Sequence, residues 1–150
     1  MKTKPIKGYE GLYTINTDGA IWSFPRTRTN GQFWKGRFLK FELCKGNGYL
    51  RVGLYKQNGI RKKWTLHKLL ALHFIPNPKG FREINHIDGV RHNDRLSNLE
   101  WCDRSYNLKD EYKRGRIPWN KGKLGVQKGP NKDKKLINGK YVAINKEKKG

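Results

Sequence analysis

With 150 residues the chain has room for one modest domain with extensions rather than several independent cores. Its 34 Lys and Arg against 12 Asp and Glu give a formal net charge of +22, which points to a polyanionic partner, most commonly nucleic acid. The two cysteines form no Cys-x-x-Cys pair, which argues against a zinc ribbon, and no stretch approaches the roughly 18 apolar residues of a membrane span.

The charge is uneven. Residues 1–84 hold 17 basic and 4 acidic side chains, residues 113–150 hold 13 and 2, and residues 85–112 between them hold 4 and 6. Basic flanks around a near-neutral centre suit a protein that grips a duplex on both sides of a cation site. A ribosomal or chromatin-type packing protein is as basic but has no reason for the dip. Two lone thiols fit a reducing cytoplasm, and Met1-Lys2-Thr3-Lys4-Pro5 is followed by no apolar segment of a secretory signal.

In chain order, Leu12 to Asn16 alternates as a half-buried strand, Thr17-Asp18-Gly19 turns, and Ala20 to Phe24 returns as a second strand. Residues 25–37 read as a mobile basic loop whose Arg26, Arg28, Lys35 and Arg37 are candidate phosphate contacts. A meander follows: Phe38 to Cys44, a turn at Gly46-Asn47-Gly48, Tyr49 to Tyr55, a turn at Asn58-Gly59, and Ile60 to Thr65. Apolar residues at 66, 69, 70 and 74 predict a helix that Pro76 and Pro78 end. His67 and His73, six apart, lie on different faces of that helix, so they read as structural or surface histidines rather than joint ligands.

Residues 83–112 carry the chemistry. Glu83 to Ile87 is a short strand holding Asn85 and His86. Residues 88–97 form a polar loop opened by the Asp88-Gly89 turn, with Arg91 and His92 in it. Leu99 to Cys102 is a second strand, preceded by Asn98. Asp103 is a fit N-cap for a helix running to about Arg114, with Gly115 as its stop. On that helix Asn107 and Glu111 share a face, and Leu108 and Tyr112 form an apolar neighbour that should pack on the hairpin.

Asn85-His86-Ile87-Asp88-Gly89, Asn98-Leu99-Glu100-Trp101 and Asn107, in this order and spacing, resemble the HNH nuclease family with its ββα-metal fold, here as a His-Asn-Asn variant. The run from Gly8-Tyr9-Glu10-Gly11-Leu12-Tyr13 to Asp18-Gly19 resembles a nuclease-associated module found in front of many phage HNH enzymes. Gly115-Arg116-Ile117-Pro118-Trp119-Asn120-Lys121-Gly122-Lys123 resembles a second, extended DNA-binding module that follows the catalytic unit in homing endonucleases. The resemblance implies a metal-dependent endonuclease that acts on double-stranded DNA, in the cytoplasm of a bacterial host if phage-encoded.

Carried over position by position, the resemblance makes His86 the general base and gives one divalent ion, Mg²⁺ or alternatively Mn²⁺, to Asn85 and Asn107. Asn98 then orients His86 by pinning the loop. Many family members have aspartate where this chain has Asn85, and Glu111 or Asp110 is the carboxylate available to assist, Glu111 the better placed. Since neighbours on a strand point to opposite faces, Asn85 and His86 meet one site only if the strand is locally distorted. Duplex contacts fall to the basic loop, Arg91, Arg116, Trp119, Asn120, Lys121 and Lys123. A single site on a short chain implies a monomer that cuts one strand. The alternative is a non-catalytic DNA-binding protein that keeps the scaffold. The expected fold is α+β: a β-rich module over residues 1–65, an HNH ββα-metal unit over 66–114, and a basic segment and tail over 115–150.

Overall fold

The computed structural model describes residues 1–28, 30–117, 134–137 and 140–143. The protein is α+β, as expected. In chain order the elements are β1 (Thr3–Pro5), β2 (Tyr13–Asn16), β3 (Ile21–Ser23), β4 (Arg26–Thr27), β5 (Phe33–Trp34), β6 (Arg37–Phe38), β7 (Glu42–Leu43), β8 (Leu50–Tyr55), β9 (Arg61–Thr65), α1 (Leu66–Phe74), β10 (Glu83–His86), β11 (Leu99–Cys102), α2 (Arg104–Lys113), β12 (Lys134–Ile137) and β13 (Lys140–Ala143).

Residues 1–116 form one compact unit. Strands β1, β2, β3 and β6 make an antiparallel sheet in that order, β7, β8 and β9 make a second, and β4 pairs with β5. The β2–β3 turn is fixed by Asn16, whose Oδ1 accepts from the backbone N–H of Asp18 at 3.1 Å and of Ala20 at 2.9 Å. Gly19 closes this turn at φ +85°, and a Cβ there would meet both methyls of Leu66 at 3.3 Å. A glycine is therefore needed twice over, for its backbone and for the close approach of α1.

One apolar core unites Ile6, Tyr9, Tyr13, Ile15 and Ile21 with Val52 and Leu54, with Leu66, Leu69 and Leu70 of α1, and with Leu99 of β11. The boundary expected at residue 65 thus falls inside the core. Helix α1 is the shared wall, and His73 ties it to the N-terminal segment. Its Nε2 accepts from the Lys7 N–H at 2.9 Å while its Nδ1 lies 2.6 Å from the Leu69 carbonyl, which is the structural role read from sequence.

Two local expectations are corrected. Residues 25–37 are not a loose loop: β4 and β5 pair, and Trp34 stacks edge-on against Tyr55 at 5.5 Å with the Arg28 guanidinium 4.3 Å from its ring centre. Phe38 to Cys44 is not one strand. β6 pairs with β3 and β7 with β8, and the chain crosses between sheets through Leu39 and Phe41, which pack on the core.

Candidate active site

Strands β10 and β11 pair antiparallel, with Glu83 opposite Cys102, Asn85 opposite Glu100 and His86 opposite Leu99. Helix α2 follows β11 directly, and Asp103 caps it as read from sequence, Oδ1 accepting from the Tyr106 N–H at 2.8 Å. Strand, loop, strand and helix bring Asn85, His86 and Asn107 to the wall of one cleft of about 230 Å³, together with Tyr49, Gly89, Arg91, Glu111, Arg114 and Arg116. The distortion expected of β10 is absent. Its ladder is regular through His86, the last paired residue, and the cleft wraps the end of the strand.

Asn85 and Asn107 are held alike. Asn85 donates Nδ2 to Glu100 Oε1 and to Asp110 Oδ2, both at 2.9 Å, and Asn107 donates Nδ2 to Glu83 Oε2 at 2.7 Å. Carboxylates accept only, so they fix which end of each amide is nitrogen. Each Oδ1 is left without a protein donor among the described residues. Two neutral amide oxygens backed by carboxylates are a donor set that fits a hard, oxygen-seeking cation. Of the acidic residues in 85–112, Glu100 and Asp110 thus stand behind Asn85. Of the two carboxylates considered as helpers, Asp110 reaches Asn85, whereas Glu111 is ion-paired to Arg91 at 3.6 Å and to Arg116.

Asn98 and Asp88 lock the intervening loop. Asn98 Oδ1 accepts from the Asp88 N–H at 3.0 Å, and its Nδ2 donates to Asp88 Oδ1 at 2.9 Å and to the Asn93 carbonyl at 2.8 Å. Asp88 also accepts from Asn93 Nδ2 and the Val90 N–H. These bonds, Asn93's first, hold its carboxyl down at about 2. Asp88 is therefore the hub of the Asp-Gly turn read from sequence. Gly89 adopts φ +75°, where an added Cβ would strike the Arg114 side chain at 2.8 Å. Arg114 ion-pairs with Asp110 and donates to the carbonyls of His86, at 2.9 Å, and Ile87, at 2.6 Å.

His86 is buried, 5% exposed, and its Nε2 lies 2.9 Å from Asp94 Oδ1. His67 stands edge-on to it, ring centres 5.1 Å apart, and Tyr49 packs against both rings. Burial, with His86 as neighbour, pushes His67 down to about 4, so its ring is neutral near pH 7. One ligand atom each from His67, His86 and Asp94 lie within 4.8 Å of one another.

Asp94, Arg114 and two of the acidic partners of the amides, Glu83 and Glu100, were not singled out as functional in the sequence, and His67 was read as structural or surface. Asp94 and Arg114 lie 8 and 28 residues from His86, and no local pattern signals those contacts. The expected α2 face is also corrected. Leu108 is half-buried but Tyr112 is 47% exposed, and no residue of α2 is fully buried, while Asn107 and Glu111 line the cleft.

The basic residues divide. Arg26 is not a free phosphate contact, since its guanidinium donates to Ser23 Oγ, the Tyr13 hydroxyl and the carbonyls of Leu12 and Phe24. Lys35 and Arg37 are exposed, and Arg28 is half-buried on Trp34. Arg91 and Arg116 reach the cleft. Trp119, Asn120, Lys121 and Lys123 lie outside the described residues.

The NUMOD4 motif matches residues 1–55. The solved structure of the HNH homing endonuclease I-HmuI, whose subject is DNA binding and cleavage by that enzyme, superposes with a TM-score of 0.64 at 32% identity, covering 90% of this chain and 70% of that one. The chain belongs to the HNH homing endonuclease family.

Among curated proteins, this family member is 32% identical over 117 residues to the DNA endonuclease I-HmuI of Bacillus phage SP01, covering 78% of this chain and 61% of that protein. An uncharacterised HNH endonuclease of Acanthamoeba polyphaga mimivirus is 33% identical over 96 residues, which are 64% of this chain and 26% of the relative. The chain thus spans less than two thirds of these curated relatives. No helix among the described residues is long and apolar enough to cross a membrane.

Proposed function

We propose that this HNH family member is a metal-dependent endonuclease that hydrolyses phosphodiester bonds in double-stranded DNA and acts as a monomer to nick one strand. The observation that carries the reading is the meeting of Asn85, His86 and Asn107 in one cleft, with both amide oxygens unclaimed by protein donors among the described residues.

Asn85 Oδ1 and Asn107 Oδ1 would hold the divalent ion, Mg²⁺ or Mn²⁺, which when bound would supply charge stabilisation to the phosphodiester undergoing hydrolysis. His86 accepts the proton of the attacking water. Asn98 and Asp88 keep the loop after β10 in one conformation, and Arg114 holds the carbonyls of His86 and Ile87, so the base meets the attacking water pre-aligned. Arg91 and Arg116, on the cleft wall, attract the phosphate; Arg28, Lys35, Arg37 and the segment around Trp119, Asn120, Lys121 and Lys123 extend the grip along the backbone.

A second reading is a DNA-binding protein without catalysis. It is favoured by one feature, the neutral amide of Asn85 where a carboxylate would hold a cation more tightly. Supercoiled plasmid incubated with Mg²⁺, Mn²⁺ or EDTA, beside His86→Ala, separates the two. The expected product is open circle that requires both metal and His86, with DNA affinity nearly unchanged in the variant, because a general base adds little to ground-state binding. Cleavage by His86→Ala at the wild-type rate would remove the assignment, and binding with no cleavage under any ion would favour the second reading.

A further inference from the structure

We infer that Asp94 is the positioning residue for His86, fixing its tautomer so that Nδ1 is the nitrogen that accepts a proton. The inference rests on the nuclease reading above and extends it to a residue outside the family motif.

A histidine base has two interchangeable ends. The proton of neutral imidazole sits on either nitrogen, and a half-turn of the ring exchanges them. A base works only if the lone pair faces the reacting proton, so something must select one end. Here Asp94 Oδ1 lies 2.9 Å from Nε2, and each of the two side chains is only 4% exposed. A carboxylate has no proton to give, so the bond requires N–H at Nε2 and leaves the lone pair on Nδ1. Exchange by rotation is opposed on two sides. His67 stands edge-on at 5.1 Å and 79°, and the Tyr49 ring lies 5.8 Å away at 32°. Arg114 fixes the backbone below by holding the His86 carbonyl.

Asp94 itself is held by where it sits. It lies in the loop that Asn98 closes through the Asn93 carbonyl, one residue earlier. The pinning of that loop therefore reaches His86 through a side chain, giving Asn98 a route to the base that involves no contact with it. Two atoms here have no protein partner among the described residues, Asp94 Oδ2 and His67 Nδ1. Their side chains belong to the same tight group, with ligand atoms within 4.8 Å. An amide at position 94 keeps the bond that orients the ring, its oxygen accepting from Nε2–H as the carboxylate does.

Asp94→Ala and Asp94→Asn are compared with wild type in the full-length protein, with DNA affinity and thermal midpoint measured alongside. Asp94→Ala should lower kcat on the order of 10²-fold with KM within about threefold, the scale of a lost general base, and Asp94→Asn should recover most of it. Side-chain ¹⁵N spectra supply a readout independent of cleavage: His86 should be the Nε2–H tautomer in wild type and Asp94→Asn, and a mixture in Asp94→Ala. Wild-type kcat in Asp94→Ala, an Asn variant as slow as the Ala variant while folded, or an Nδ1–H tautomer in the wild type would each overturn the inference. If Asp94→Ala is fully active while His86→Ala is dead, the positioning role fails and the nuclease reading stands. If His86→Ala also cleaves, the nuclease reading fails first.

Discussion

Asn98 does the most with one side chain. It makes three hydrogen bonds across the loop while nine-tenths buried, two as donor and one as acceptor. Truncating it takes one donor from Asp88 Oδ1, which is exposed and keeps the Val90 N–H, and leaves the Asn93 carbonyl and the Asp88 N–H without this partner. Asn98→Asp is isosteric but turns a donor into a third acceptor facing Asp88. It should therefore be less stable than Asn98→Ala at pH 7, which urea denaturation of the two variants would settle. Equal midpoints would mean that the amide nitrogen is not what closes the loop. That Asn98 pins a loop was implied by the family resemblance carried by Asn98-Leu99-Glu100-Trp101. That its grip passes to Asp94 was not, because loop contacts depend on a conformation that the letters do not spell.

At the scale of elements, α1 was readable from its apolar period and the prolines after it, and α2 from the Asp103 cap and the Gly115 stop rather than from an apolar face. α1 matches its expected span from Leu66 to Phe74, and Asp103 caps α2. The short strands β4 to β7 were not, since strands of two residues carry no period and are set by which sheet edge is free. Helix α1 also carries a pH dependence. The His67 ring, at its first turn, has been pushed from 6.5 to about 4, chiefly by burial. Between these values the unfolded chain binds a proton that the folded chain refuses, so stability falls as pH drops from 6.5 towards 4, by up to about 3 kcal/mol. His67→Gln removes the titration. Its urea midpoint should therefore decline less steeply than wild type across this window, and parallel curves would show that His67 titrates alike in both states.

Over the whole molecule, the formal charge of +22 was the plainest signal and the least specific. It pointed to a polyanion, but which cations face outward was decided by packing: Arg26 turned inward on Tyr13 while Arg91 and Arg116 came to the cleft. Residues 117–150 hold 10 basic and 2 acidic side chains. If they lie along duplex phosphates, deleting them weakens binding and flattens the slope of log K against log salt, in proportion to the number of phosphates those side chains neutralise. Titrating the truncated and full chains against duplex from about 50 to 200 mM salt, a range over which such effects are large, measures both. Equal slopes would confine the phosphate contacts to residues 1–116.

The bonds from Asn85 to Glu100 and Asp110 also bear on how this sequence can change. Asparagine and aspartate codons differ by one nucleotide, so a carboxylate at this position is a single mutational step away. In this chain the step is obstructed. An aspartate at 85 would set a third negative charge against two carboxylates that now accept from the amide nitrogen at 2.9 Å. The neighbours would have to change with it, so position 85 is free to drift only in company, and its genetic accessibility overstates its evolutionary freedom.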